Sequence, residues 1–292
     1  MRNASRASMV GLAFVAASAC GAPQRGGDDF GTSDGHQMTG SNGSGDGCSE
    51  DAKLVYVIDQ FNARLSQFDP ATKAFTDLGS LSCPTQPGAT PFSMSVARNA
   101  HAWVLYNSGE LFDVTIQGLA CTKMPWTSPN NLKVFGMGFS SDQPGSDAET
   151  LYINGGLTQT QASFTLAAVN PNTMSTMVLG PEPALAEMTG NGNAELWGFY
   201  PTDTTAKVIR FDKANGTAAM TFDEPSLAGT MTGYAFAHWG GDYWVFLIKN
   251  SEASTTVYQV NGMTGAITST TPTTGRVIVG AGVSTCAPVV IE

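Results

Sequence analysis

Charge is scarce in this 292-residue chain: Asp, Glu, Lys and Arg together make up 13%, with 14 basic residues against 24 acidic ones. A surface with a formal charge of −10 repels phosphate backbones, so nucleic acid is not an expected partner. Histidine is nearly absent; His36, His101 and His238 are the three. No Gly-x-Ser-x-Gly elbow occurs in the strand-forming part, so an esterase-like nucleophile is not evident. No two cysteines have the close spacing of a zinc site, and the acids near the N-terminus lack the regular spacing of a calcium loop. No metal or other cofactor is therefore expected. Long apolar runs are missing too, which excludes a membrane-spanning helix.

The short apolar run that does exist is informative. Arg2 and Arg6 precede Met9 to Ala19, 11 residues without a charge. That length suits a signal-peptide core. The run ends in Ala17-Ser18-Ala19-Cys20-Gly21, which resembles the bacterial lipobox, although Ala17 stands where Leu or Val is usual. Residues 1–19 are thus expected to be a signal peptide and Cys20 the lipid attachment point, with a multiply acylated cysteine making a stable anchor. Processing would remove both arginines and take the formal charge to −12. Gly21, rather than Asp, after the cysteine favours the outer membrane within the cell envelope. Residues 20–52 read as a tether: nine Gly, four Ser and six acids lie between Gly21 and Ala52, with hardly any large apolar residue to bury.

The rest of the chain, 53–292, is rich in Gly, Thr, Ser and Asn, a composition of many short strands and tight turns. One pattern recurs: an apolar residue, Asp or Asn, then a turn with Thr, Asn or Gly. It appears at Phe68-Asp69-Pro70-Ala71-Thr72, Val169-Asn170-Pro171-Asn172-Thr173, Phe211-Asp212-Lys213-Ala214-Asn215-Gly216 and Val260-Asn261-Gly262-Met263-Thr264-Gly265, with a degenerate copy at Val114 to Gly118. An Asx side chain can cap each turn and Gly supplies positive φ, so each copy predicts a hairpin. The copies are spaced like the blades of a propeller. Ahead of each hairpin comes a strand of small residues and then an aromatic-rich strand, as in Phe92 to Val96 with Ala102 to Tyr106. Small residues suit the innermost strand and bulky ones the packing between blades.

Residues 91–126, 133–180, 183–224 and 230–272 each supply four strands, whereas 53–81 supplies three and lacks the innermost. Val277 to Val283 has inner-strand character and nothing after it. The expectation is an all-β, five-bladed β-propeller whose C-terminal strand closes the first blade; a β-sandwich and a six-bladed propeller are the alternatives. The closure would bring Cys286 and Cys48 to one rim, within disulfide reach. By elimination Cys83 pairs with Cys121, although these two stand at opposite ends of neighbouring outer strands.

Thr90 to Val96, Ala102 to Phe112, Trp239 to Trp244 and Val279 to Pro288 resemble segments of a family of uncharacterised exported lipoproteins from myxobacteria and their relatives. The resemblance implies an address and a fold, not a reaction.

Chemistry is sparse. The inner strands offer essentially one acid, Glu187, whereas glycoside hydrolysis needs two carboxylates at a defined separation. Asp59, Asp142 and Asp242 sit at strand ends, where they are expected to cap backbone groups. A non-catalytic binding or scaffold module is therefore expected, with a glycan-acting hydrolase near Glu187 as the alternative. Phe61, Trp126 and Tyr200 fall in loops of the face that propellers use for binding, so with Glu187 they are the candidate contacts for a glycan or protein ligand. The plainer reading of these aromatics is packing between blades.

Overall fold

The computed structural model describes residues 48–129 and 132–290. The leader, Cys20 and the tether as far as residue 47 lie outside the described residues.

Five four-stranded antiparallel sheets are arranged in a ring. Blade one takes its inner strand from the C-terminus: β20 (Ile278–Gly282), then β1 (Val55–Asp59), β2 (Arg64–Asp69) and β3 (Ala74–Ser80). Blade two is β4 (Pro91–Val96), β5 (His101–Tyr106), β6 (Leu111–Thr115) and β7 (Cys121–Lys123). Blade three is β8 (Val134–Ser141), β9 (Glu149–Gly156), β10 (Phe164–Val169) and β11 (Thr176–Glu182). Blade four is β12 (Glu187–Gly190), β13 (Leu196–Tyr200), β14 (Ala206–Phe211) and β15 (Ala218–Glu224). Blade five is β16 (Met231–Trp239), β17 (Asp242–Lys249), β18 (Thr256–Asn261) and β19 (Ile267–Pro272). The molecule is a five-bladed β-propeller; among the described residues neither a sandwich nor a sixth blade forms. The inner strands start at one face, called upper here. That face also carries the loops between second and third strands and the crossings between blades.

The repeated Asx turns join the third and fourth strands of their blades. Asp69 Oδ1 accepts from Ala71 N–H at 2.9 Å, Asn170 Oδ1 from Asn172 N–H at 2.9 Å, Asp212 Oδ1 from Ala214 N–H at 2.9 Å, and Asn261 Oδ1 from Thr264 N–H at 3.0 Å. Each turn then needs a left-handed residue. Gly216 and Gly265 meet that need in blades four and five, but Lys73 (φ 58°) and Met174 (φ 58°) occupy it in blades one and three. A side chain there costs roughly 1–2 kcal/mol.

The core is divided among the five gaps between neighbouring blades. Second-strand aromatics fill these gaps. Trp103 meets Phe139 of blade three edge-on at 5.1 Å, Trp197 meets Tyr243 of blade five at 4.6 Å, and Phe68 meets Trp244 of blade five at 5.3 Å. At the axis, small residues let inner strands touch. A Cβ on Gly136 would come within 2.1 Å of the Ala186 carbonyl oxygen, so only glycine fits between β8 and β12.

Closure of the ring is reinforced by a partly buried clasp. Arg276, just ahead of β20, donates from Nη1 to Asp59 Oδ2 (3.2 Å) and Ser66 Oγ (3.1 Å), and from Nη2 to Asp77. Its guanidinium lies 4.5 Å from the centroid of Phe75. Asp59, 3% exposed, also accepts from Arg64 Nε (3.2 Å) and from the Val277 amide (2.9 Å).

Both disulfides form. Cys48 bonds Cys286 at the lower rim, with Cα atoms 5.9 Å apart. Ala52 is fully buried and its carbonyl accepts from Ser284 Oγ at 2.6 Å. Residues 48–52, expected in the tether, therefore belong to the folded part; the disulfide and this bond hold them. Cys83 and Cys121 are joined with Cα atoms 5.1 Å apart. The separation expected from their strand ends is overcome because β7 is only three residues long and its preceding turn leans on blade one. There a Cβ on Gly79 would sit 2.7 Å from Leu119 Cδ1.

Candidate functional site

A pocket of about 410 Å³ opens on the upper face around the axis. Four of the five blades contribute inner-strand residues or the crossings leading into them. Pro91 and Phe92 come from blade two, Leu185 and Glu187 from blade four, Met231 and Tyr234 from blade five, and Val279 from blade one. Loops complete the wall: Gln60 from blade one, Gln159 to Gln161 from blade three and Thr202 with Asp203 from blade four. The size falls within the range of small-molecule sites, about 300–1,000 Å³.

Glu187 lies at the pocket floor, 3% exposed. Ser93 Oγ, from the inner strand of blade two, donates to its Oε2 at 2.8 Å. Burial pushes the carboxyl well above the usual carboxylate range, and the serine bond only partly opposes that. Glu187 is thus held toward its neutral form. The Tyr234 hydroxyl donates to the Leu185 carbonyl at 3.1 Å, and burial raises its pKa.

The walls are fixed to different degrees. Gln161 builds its own loop: Oε1 accepts from the Leu157 and Thr158 amides at 3.0 and 3.2 Å. Thr202 Oγ donates to the Thr205 carbonyl at 2.7 Å, and Thr230 Oγ to Asp203 Oδ1 at 3.2 Å. The side-chain amides of Gln60 and Gln159 make no hydrogen bond to another described residue, so their donors and acceptors are free for a ligand. None of the described residues lining the pocket is basic.

The four expected ligand contacts are separated by the structure. Glu187 is in the pocket. Phe61 is 78% exposed on the upper face, next to Gln60. Tyr200 is buried instead; its hydroxyl donates to Glu182 Oε2 at 2.7 Å and accepts from Asn154 Nδ2 at 3.4 Å, because β13 turns it into the gap between blades three and four. Trp126 packs edge-on against Phe135 at 5.5 Å, in the gap between blades two and three. Both thus follow the plainer reading.

Two histidines are structural in setting. His101 Nδ1 pairs with Asp113 Oδ1 at 2.6 Å. His238 is buried, and desolvation lowers its pKa to about 4, which keeps it neutral. Asp59 and Asp242 cap backbone amides as expected, Asp242 Oδ1 accepting from the Gly262 amide at 3.2 Å, whereas the Asp142 carboxylate accepts from the Thr150 hydroxyl at 2.7 Å. Among the described residues no cluster of ligating side chains could hold a metal, and no helix is long and apolar enough to cross a membrane.

No protein-family model and no curated protein sequence matches the chain. Among solved structures, a protein of unknown function from Bacteroides caccae is similar over 78% of this chain and 97% of its own, with 8% identity and a TM-score of 0.47. The Dos1 propeller is similar over 76% of this chain and 56% of its own (11% identity, TM-score 0.44). A chain of the mitotic checkpoint complex is similar over 77% and 62% (10% identity, TM-score 0.40).

Proposed function

We propose that this protein is an exported, lipid-anchored binding module that engages its ligand at the upper pocket and does not catalyse a reaction on it. The observation that carries this reading is the makeup of the pocket. The described lining holds two carboxyls: Glu187 on the floor, biased to the neutral form and capped by Ser93, and Asp203, in an exposed loop where it accepts from Thr230 Oγ. Amides and hydroxyls dominate its polar wall. Such groups orient a ligand, whereas acid–base chemistry needs a second carboxylate or base set at a defined separation across the substrate from the first, and Asp203 is engaged with Thr230 instead. The rival reading, a glycan hydrolase using Glu187, predicts turnover that disappears in Glu187→Gln. A screen of glycans, esters and peptides with the wild-type chain tests this, and turnover of any of them would refute the non-catalytic reading.

The address rests on the arginine-flanked apolar run, on Ala17-Ser18-Ala19-Cys20 and on the resemblance to exported lipoproteins. The described chain enters at Cys48 on the lower rim, whereas the pocket opens on the upper face. Cys20→Ala is expected to release the protein from membranes or leave it unprocessed; a variant that still sediments after a salt wash would refute lipid anchoring.

A further inference from the structure

Taking the pocket as a binding site, we propose that its ligand is a neutral carbohydrate ring. Four observations select this chemistry. First, sign: the described lining contains the acids Glu187 and Asp203 but no Lys, Arg or His, in a chain of net charge −10. A phosphate or carboxylate ligand would enter negative potential with no counter-charge. Second, the acids are poorly placed to hold a cation. Glu187 is buried and bonded to Ser93, and Asp203 stands in an exposed loop where water screens it.

Third, the free polar groups each give and take. The Gln60 and Gln159 amides both donate and accept. The protonated form of Glu187 has a hydroxyl donor, and its Oε1 has no hydrogen-bond partner among the described residues. Sugar hydroxyls likewise donate and accept, so they can satisfy this set; an apolar ligand would strip water from the half-buried Gln60 and the exposed Gln159 without replacing it, at a cost of about 1–3 kcal/mol for each group that it fully covers. Fourth, Phe92, Leu185, Met231 and Val279 supply apolar surface between these polar points, suited to the C–H face of a sugar ring.

The test titrates the wild-type chain with methyl glycosides of neutral hexoses and N-acetylhexosamines, the matching uronic acids, and glucosamine, read by calorimetry or ligand-observed NMR. At least one neutral glycoside is expected to bind, with its uronic acid counterpart weaker by about tenfold or more. Gln60→Ala and Gln159→Ala should each weaken binding by about three- to tenfold, the worth of one hydrogen bond, without changing the thermal melt. Glu187→Gln keeps a neutral donor and acceptor and should bind within about threefold of wild type. The inference is overturned if the uronic acid or glucosamine binds as well as the neutral sugar, if Glu187→Gln abolishes binding, or if no neutral glycoside binds up to about 10 mM. In that last case, a peptide or protein whose binding is lost in Gln60→Ala would overturn the carbohydrate assignment and leave the binding module standing. Hydrolysis of a glycoside would overturn the binding module itself.

Discussion

Replacing Arg276 by Met keeps an aliphatic stem of similar length and removes the guanidinium that lies over Phe75 and ties the entry of β20 to β1, β2 and β3. Asp59 would remain almost fully buried, with Arg64 and the Val277 amide as its remaining partners. A charged hydrogen bond contributes about 1.5–3 kcal/mol, and breaking a buried ion pair on one side costs about 3–5. Because Asp59 stays partly satisfied, the low end applies: about 3 kcal/mol. For a domain of this size each kcal/mol moves the melting temperature by about 2–4 °C, so a fall of about 6–12 °C is expected. Calorimetry with the disulfides intact measures it, since Cys48–Cys286 still joins the ends of the ring. Asp59→Asn should cost a similar amount, and the double variant less than the sum, with a coupling of at least about 1 kcal/mol. A loss under about 0.5 kcal/mol for Arg276→Met, or strict additivity, would refute the clasp.

Lys73→Gly and Met174→Gly should each stabilise the fold by up to about 1 kcal/mol, since relief of the left-handed strain exceeds glycine's extra freedom when unfolded; denaturant melts check this. The Cys83→Ala, Cys121→Ala double variant should lose about 2–4 kcal/mol, the loop-closure contribution of a bridge across 38 positions, and peptide mapping of wild type without reductant should recover the linked pair. Glu110 has its pKa pulled from 4.5 to about 2, first by Lys123 and then by the Gln86 amide. Its folded-state pKa is depressed, so its contribution is present above about pH 4.5 and lost as pH falls toward 2. Glu110→Gln should accordingly melt lower than wild type at pH 6, with the gap closing toward pH 2.

The propeller was legible because its signals are local. Each Asx turn is written in five or six consecutive residues, and the Cys48–Cys286 bridge and the β20–β1 pairing followed from counting strands. The Arg276 clasp was not legible: Arg276 meets Asp59, Ser66 and Asp77 only after the ring closes, and nothing near it in sequence marks it. Of the site, Glu187 stood out as the one inner-strand acid. Gln60 and Gln159 did not, because their loops belong to different blades and carry no periodicity. One signal was present: residues 157–163, between β9 and β10, form the longest loop joining a second strand to a third, and Gln159 sits in it. Tyr200 misled because a loop-edge aromatic in sequence became a buried one once β13 extended through it.

The lower-rim disulfide has a mechanical consequence. Val55, at the start of β1, and Gly282, at the end of β20, lie at the same rim and pair as neighbours within one residue of register. Cys48 precedes the first by a short stretch, and Cys286 follows the second by four residues. A pull on the chain ahead of Cys48 therefore divides at the sulfur bridge and reaches both strands from the same end. The two are drawn in the same direction, so the hydrogen bonds between them are neither slid past one another nor peeled open. The load passes to the ring as a whole, which hangs from two legs instead of one.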